Sequence, residues 1–279
     1  MLKPMPERMA PLFILAPLNR SGTNFIEKAL LLHPALAVPS IFTEDYLLRY
    51  SDLLIEYYER TSPHWSLHNK VPDPDVIRDA FLQHLGISLL DFFRPYTSAG
   101  KRLLLTTPRP HNLDNMSTLF PEAQMVIIIR DGRDTVESAA KTFKHKGHAH
   151  WMKQWAVGSD YVLEFMHAHR RDEGARWICI RFEEMYDNTN AVVERVLEFA
   201  QLDGGQYDWE ALRTLPVYGS SSNMTFDNAQ QPIWGATSRD RSFDPIARWA
   251  HWPWLRKLLF KRIAGRQLVA FGYESGFNW

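Results

Sequence analysis

The chain has 279 residues, 45% of them hydrophobic, enough for one large domain or two small ones with a substantial core. Lys plus Arg and Asp plus Glu both number 32, so no net field recruits duplex nucleic acid or another polyanion. Any anion site must therefore be built locally.

In chain order, the opening MLKPMPERMAP lacks the apolar core of a signal peptide. No later run approaches the ~20 apolar residues of a membrane span. A cytoplasmic protein is expected, with neither membrane nor nucleic acid as partner. LFILA (12–16) is uniformly apolar and predicts a central parallel strand covered on both faces. Phe25, Ile26, Ala29, Leu30 and Leu32–His33 follow helical spacing up to Pro34. Residues 42–65 mix aromatics and acids, as an amphipathic helix pair or the wall of an acceptor pocket would. RLLLTT (102–107), MVIIIR (125–130) and RWICIRF (176–182) are further strands. The lone Cys179 in the last of these reads as a buried structural thiol, which excludes an internal disulfide and suits a reducing compartment.

Between those strands, Val136, Ala139, Ala140 and Phe143 mark a helix, with Asp134 and Glu137 spaced as a capping box. His145, His148 and His150 lack the spacing of a strong metal site and read as a solvated loop, so no metal is expected. Val192, Val193, Val196, Leu197 and Ala200 give another helix after Thr189. Residues 218–245 are polar and too long for an ordinary connection, which marks them as functional or mobile. A Trp-rich basic helix, 246–264, follows. It could lie on a membrane surface, but Pro253 and its Leu and Ile residues favour a core or lid helix. Strands alternating with helices predict an α/β fold, three layers with a central parallel sheet, over 1–279 as one domain.

Two segments carry chemistry. After the first strand, Asn19-Arg20-Ser21-Gly22-Thr23-Asn24 leads into a helix, so free backbone N–H groups and the positive helix end can hold phosphate or sulfate. Gly22 permits close backbone approach, Ser21 and Thr23 offer hydroxyls or caps, and Arg20 adds a planar fork of donors. A plain N-cap with a surface Arg is the competing reading. The pattern GxxxxGK[ST] of ATP-binding loops is absent; Gly100-Lys101 precedes a strand and has the wrong topology. In the second segment Arg130 ends a strand at the carboxyl edge of the sheet, and Ser138 lies eight residues on in a helix. Both could reach one phosphate, while Asp131, Arg133 and Asp134 suit caps and ion pairs.

Together the segments resemble the sulfotransferase family. NRSGTNF is similar to its 5′-phosphosulfate loop, VIIIRDGRDTVES to its 3′-phosphate motif, and RFEEM (181–185) to the strand-end segment that follows. LLLHP (30–34) and LFPEAQMVIIIRD (119–131) resemble the bacterial and tyrosylprotein-type branch. The resemblance runs from about residue 11 to 186, with a looser echo over 238–273. It implies a P-loop-like fold and a donor, 3′-phosphoadenosine 5′-phosphosulfate (PAPS), with PAP as product. Arg20 to Asn24 would hold the phosphosulfate, and Arg130 with Ser138 the 3′-phosphate. No metal is required. Arg20 would stabilise the leaving phosphate. Arg239, Arg241 and Arg248, in or beside the 218–245 stretch, are candidates to fold over the cofactor.

The chain departs from the family at the base. Thr106, Thr107 and Pro108 stand where cytosolic relatives carry Lys-[TS]-His. Glu44, near the place of a catalytic Glu in tyrosylprotein-type enzymes, and His111 are the substitutes; capping ahead of DYLLRY competes for Glu44, and Asp45 shares both readings. The expected reaction is sulfuryl transfer to a hydroxyl or amine of a small organic acceptor, such as a secondary metabolite. An ATP-dependent phosphotransferase and an inactive nucleotide-binding protein are the alternatives.

Overall fold

The computed structural model describes residues 9–65, 73–107, 109–169, 175–217, 224–226, 232–235 and 244–279. Five strands, β1 (Leu12–Leu15), β2 (Leu36–Ala37), β3 (Arg102–Thr107), β4 (Gln124–Ile129) and β5 (Trp177–Arg181), form one sheet in the order β2-β3-β1-β4-β5. Every pairing is parallel, with Leu15 beside Thr107 on one side and Ile127 on the other. The helices are α1 (Thr23–Leu30), α2 (Asp52–Thr61), α3 (Pro74–Phe93), α4 (Asn115–Leu119), α5 (Gly132–Thr142), α6 (His148–Ala168), α7 (Phe182–Asp187), α8 (Thr189–Phe199), α9 (Trp209–Thr214) and α10 (Trp254–Ala270).

Strand periodicity sends alternate side chains to opposite faces, and here both faces are apolar. Phe13, Leu15, Leu105, Met125 and Ile127 join the core that holds Trp155 of α6 and Phe260 of α10. Leu12, Ile14, Leu104, Val126 and Ile128 pack with Ile26 of α1 and Val193 of α8. Burying each Leu or Ile stabilises the fold by about 1.5–3 kcal/mol, so the all-apolar strands fix the sheet's interior. This is the expected three-layer α/β arrangement. Because the chain leaves β1 toward β2 and β3 and later returns on the β4 side, the carboxyl ends of β1, β3 and β4 flank a topological switch point.

Local departures have physical causes. The first helix ends at Leu30 because His33 closes the chain: Ala35 N–H donates to His33 Nδ1, leaving Nε2 as the donor to the Asp203 carbonyl. The short β2 pairs only through Leu36 and Ala37, too little sequence to show a pattern. Residues 42–65 hold one α-helix, and 47–51 is a turn entered from Tyr46 at φ +52°. Asp131, not Asp134, caps α5, its carboxylate accepting from Arg133 N–H at 2.8 Å. His148 and His150 open α6 rather than lying in a loop. The Trp-rich helix starts only after Pro253 and packs chiefly on α6. Within 218–245, residues 224–226 and 232–234 pair as two antiparallel strands, β6 and β7. Cys179 is half-buried on the edge strand β5. No helix of the described residues is long and apolar enough to cross a membrane.

Candidate functional site

The loop after β1 is shaped from within. Ser21 is fully buried and its Oγ donates to the Leu18 carbonyl at 2.8 Å, so that hydroxyl proton closes the loop. Gly22 is the N-cap of α1 at φ +96°, and a Cβ there would come 2.6 Å from the Phe182 ring. Left-handed backbone and close packing both demand glycine, a stronger reason than ligand approach alone. No side chain caps α1, and its first acidic-free turn presents backbone N–H groups toward the sheet's carboxyl edge. Gly158 of α6 lies against this loop, where a Cβ would meet the Pro17 carbonyl oxygen at 1.8 Å.

Arg20 also sits in the left-handed region, at φ +79°, a costly conformation for a non-glycine residue. Its Nε lies 3.3 Å from Ser138 Oγ of α5. Arg130, buried at the end of β4, donates from Nη1 to the Arg20 carbonyl and from Nη2 to the Pro245 carbonyl, each at 2.7 Å. Its guanidinium carbon stands 4.4 Å from the centre of the Phe182 ring, and its buried Nε has no hydrogen-bond partner. Both halves of the sequence signal therefore meet: Arg20, Arg130 and Ser138 form one cluster. Ser138 lies almost two turns into α5 rather than one.

The electrostatics are those of an anion site. Burial, then the charges of Arg130 and Arg248, bring the Arg20 guanidinium down to about 9. Burial lowers Arg130 as well, against the pull of Asp134 and Glu183. Two buried guanidiniums, with the charge of Arg248 acting on both, are disfavoured as cations until an anion joins them.

A frame of hydrogen bonds holds this cluster. Glu183 accepts from Asp131 N–H at 2.9 Å and from the Tyr273 hydroxyl at 2.7 Å, tying the start of α5 to the chain after α10. Asp134, pushed up to about 6 chiefly by burial, accepts from the backbone N–H groups of Ala247 and Trp249. Arg133 pairs with Asp131 and Glu274 and stacks 3.6 Å from the Trp249 ring centre. The charged run 131–134 thus serves caps and ion pairs, as its composition suggests.

Beside β1, the end of β3 builds a second group. Thr107 Oγ1 donates to the Asp45 carboxylate at 2.8 Å, and Leu47 N–H donates to the same carboxylate. Burial raises Asp45 to about 6 despite those bonds. Glu44 accepts the Tyr46 hydroxyl at 2.7 Å. Neither acid caps a helix, since α2 begins at Asp52. Arg109 bonds Gln154 of α6, and burial and the charge of Arg49 hold its guanidinium below the usual range. His111 packs 5.0 Å from the Tyr161 ring, with Nδ1 buried and unpartnered. Burial and the cations Arg109 and Arg49 hold His111 below the usual imidazole range. Such an imidazole resists taking up a proton.

Arg239, Arg241 and Pro108 lie outside the described residues. Thr23 and Asn24, expected in the loop, already stand in the first turn of α1. Sequence reasoning missed Phe182 as the platform under Arg130 and Thr107 as the anchor of Asp45. RFEEM contained the first, but nothing local in it shows what its ring covers. Among the described residues, no group of three or more His, Cys, Asp or Glu is placed to hold a metal ion.

The sequence model of the sulfotransferase family matches residues 11–206, more than half of the chain. No curated protein matches the chain by sequence. Among solved structures, it is similar to the sulfotransferase domain of the olefin synthase of Synechococcus PCC 7002, at 16% identity over 93% of this chain and 96% of that one, TM-score 0.53. The sulfotransferase domain of the curacin biosynthetic pathway gives 16%, 93%, 98% and 0.52 in the same terms. Mouse sulfotransferase SULT7A1, complexed with PAP, gives 13%, 94%, 84% and 0.52. At these identities the structural likeness speaks for the fold.

Proposed function

We propose a function from one premise: the chain belongs to the sulfotransferase family. Its reaction is sulfuryl transfer. The donor we assign is PAPS, with PAP as product, and the acceptor a hydroxyl or amine of a small organic molecule. The observation that carries the donor assignment is the Arg20–Arg130–Ser138 cluster beside the open N-terminus of α1. The unpartnered Nε of Arg130 and the lowering of Arg20 and Arg130, by burial first and then by neighbouring cations, fit a ligand with several negative charges. SULT7A1 was crystallised with PAP, which agrees with this reading.

PAPS, when bound, supplies the sulfuryl group and leaves as PAP. The loop 20–24 and the first N–H groups of α1 would bind its 5′ end, and Arg130 with Ser138 its 3′-phosphate. Arg20 would neutralise charge on the leaving phosphate; catalysis by positioning and charge neutralisation is the economy of such transfers. Glu44 would take the acceptor's proton, and Asp45, fixed by Thr107 and Leu47, would position it. Arg239 and Arg241 remain proposed contacts of a covering 218–245 segment, within a single 1–279 unit acting in the cytoplasm. Side-chain cations and the helix end supply the positive charge, so we assign no metal.

The test is transfer of labelled sulfate from PAPS to a panel of phenols, alcohols and amines, with and without EDTA. Labelled product that persists in EDTA is expected; PAP binding without product from any acceptor would overturn the assignment of activity.

A further inference from the structure

The inward face of α10 is core: Phe260, Ala264 and Leu268 are fully buried. Its outward face does not follow suit. Trp254, Leu255, Leu258 and Leu259 are 69%, 61%, 41% and 40% exposed, and at 3.6 residues per turn they share one side of the helix. Phe277, 55% exposed, packs beside Gly265 and carries the apolar stripe toward the other end of the helix. Four large apolar side chains exposed on one side of one helix, with a fifth nearby, form a patch rather than the scattered single hydrophobics of an ordinary surface.

The charges on the helix itself have one sign. Residues 254–270 contain Arg256, Lys257, Lys261, Arg262 and Arg266 and no acid. Arg262 and Arg266 continue the exposed side one and two turns beyond Leu258. Arg266 pairs with Asp160 of α6, and Lys257 and Lys261 donate to the Ala250 and Phe277 carbonyls, which leave their charge intact.

We infer that this face of α10 docks on an anionic lipid surface, with Trp254, Leu255, Leu258 and Leu259 at the acyl boundary and the cations at the headgroups. Tryptophan and leucine on one side of a basic helix suit that boundary, and the absence of any acid suits anionic lipid. A second copy of the chain fits less well, because it would set one acid-free cationic helix against another. The site is separate from the Arg20–Arg130 cluster, although α10 follows directly on the 244–253 segment that touches Arg130 and Asp134.

The test is sedimentation of the full chain with vesicles of phosphatidylcholine alone or with about a third phosphatidylserine. Binding to the anionic vesicles only, weakened by salt, is expected. Trp254→Asp/Leu258→Asp and, separately, Arg262→Glu should each weaken it by about tenfold or more. Unchanged PAP affinity and thermal midpoint would show both variants folded. No binding to anionic vesicles, equal binding to neutral ones, or full binding by the folded variants overturns the proposal. So does a dimer in solution that the double variant splits while vesicles capture neither form.

Discussion

The Arg130 guanidinium donates to the main-chain carbonyl of Arg20 at 2.7 Å, so the end of β4 fixes the loop that follows β1. Arg20 is thereby held in a left-handed conformation, beside two other cations, with its own charge disfavoured by burial. With the role proposed for Arg20, function and stability are opposed at this residue.

Arg20→Gly should therefore separate the two. Glycine accepts φ +79° without strain, and one of three crowded cations disappears. A melting temperature equal to or above wild type is expected, with turnover lower by about 100-fold or more. Melting curves and sulfuryl-transfer rates on the same preparations check this; a clearly lower melting temperature would show that Arg20 supports the fold.

Gly158→Ala probes the support under the loop. Its methyl group would meet the Pro17 carbonyl oxygen at 1.8 Å, so α6 or the loop must move. A loss of about 2–4 kcal/mol in denaturant unfolding is expected, together with weaker PAP binding. Gly147→Ala, where nothing lies near the added Cβ, serves as the control and should leave PAP affinity alone.

Asp45 gives a pH signature. Its folded value of about 6 lies above the ordinary 3.8, so the native state takes up this proton first. The ionised carboxylate costs stability above about pH 6, and that penalty fades as pH falls through 6 toward 4. Asp45→Asn keeps an acceptor for Thr107 and Leu47 without the charge. Denaturation should find it ~1–3 kcal/mol more stable than wild type at pH 8, with little difference near pH 4. Equal stability at pH 8 would contradict the shift.

For the proton, Glu44→Gln should lower turnover by about 100-fold or more while PAP affinity holds. His111→Ala should lower it less than tenfold, because burial, then Arg109 and Arg49, disfavour the protonated ring. The reverse order would make His111 the base.

Much of this was legible in the sequence, and for a definite reason. The strand–loop–helix at 11–30 and the Arg130–Ser138 segment are each contiguous, so periodicity and spacing reveal them, and the sheet then brings them together. Contacts between distant residues were not legible. Thr107 on Asp45, Phe182 under Arg130 and Pro245 against Arg130 arise only once β3, β4 and β5 have taken their places in the sheet. Asp134 was misread as capping its own helix, α5, because its true partners, Ala247 and Trp249, lie far along the chain. For α10, composition suggested a core or lid helix; only packing reveals that Trp254 and three leucines face outward.

The central claim is that Arg20, Arg130 and Ser138 hold a nucleotide with phosphates at both ends. Calorimetry with PAP on the wild type and on Arg130→Ala tests it most directly. The account predicts saturable binding to wild type, with a rise in melting temperature, and a loss of about 100-fold in affinity for Arg130→Ala. Absence of heat and of thermal stabilisation with wild type, or unchanged affinity in a folded Arg130→Ala, would contradict it.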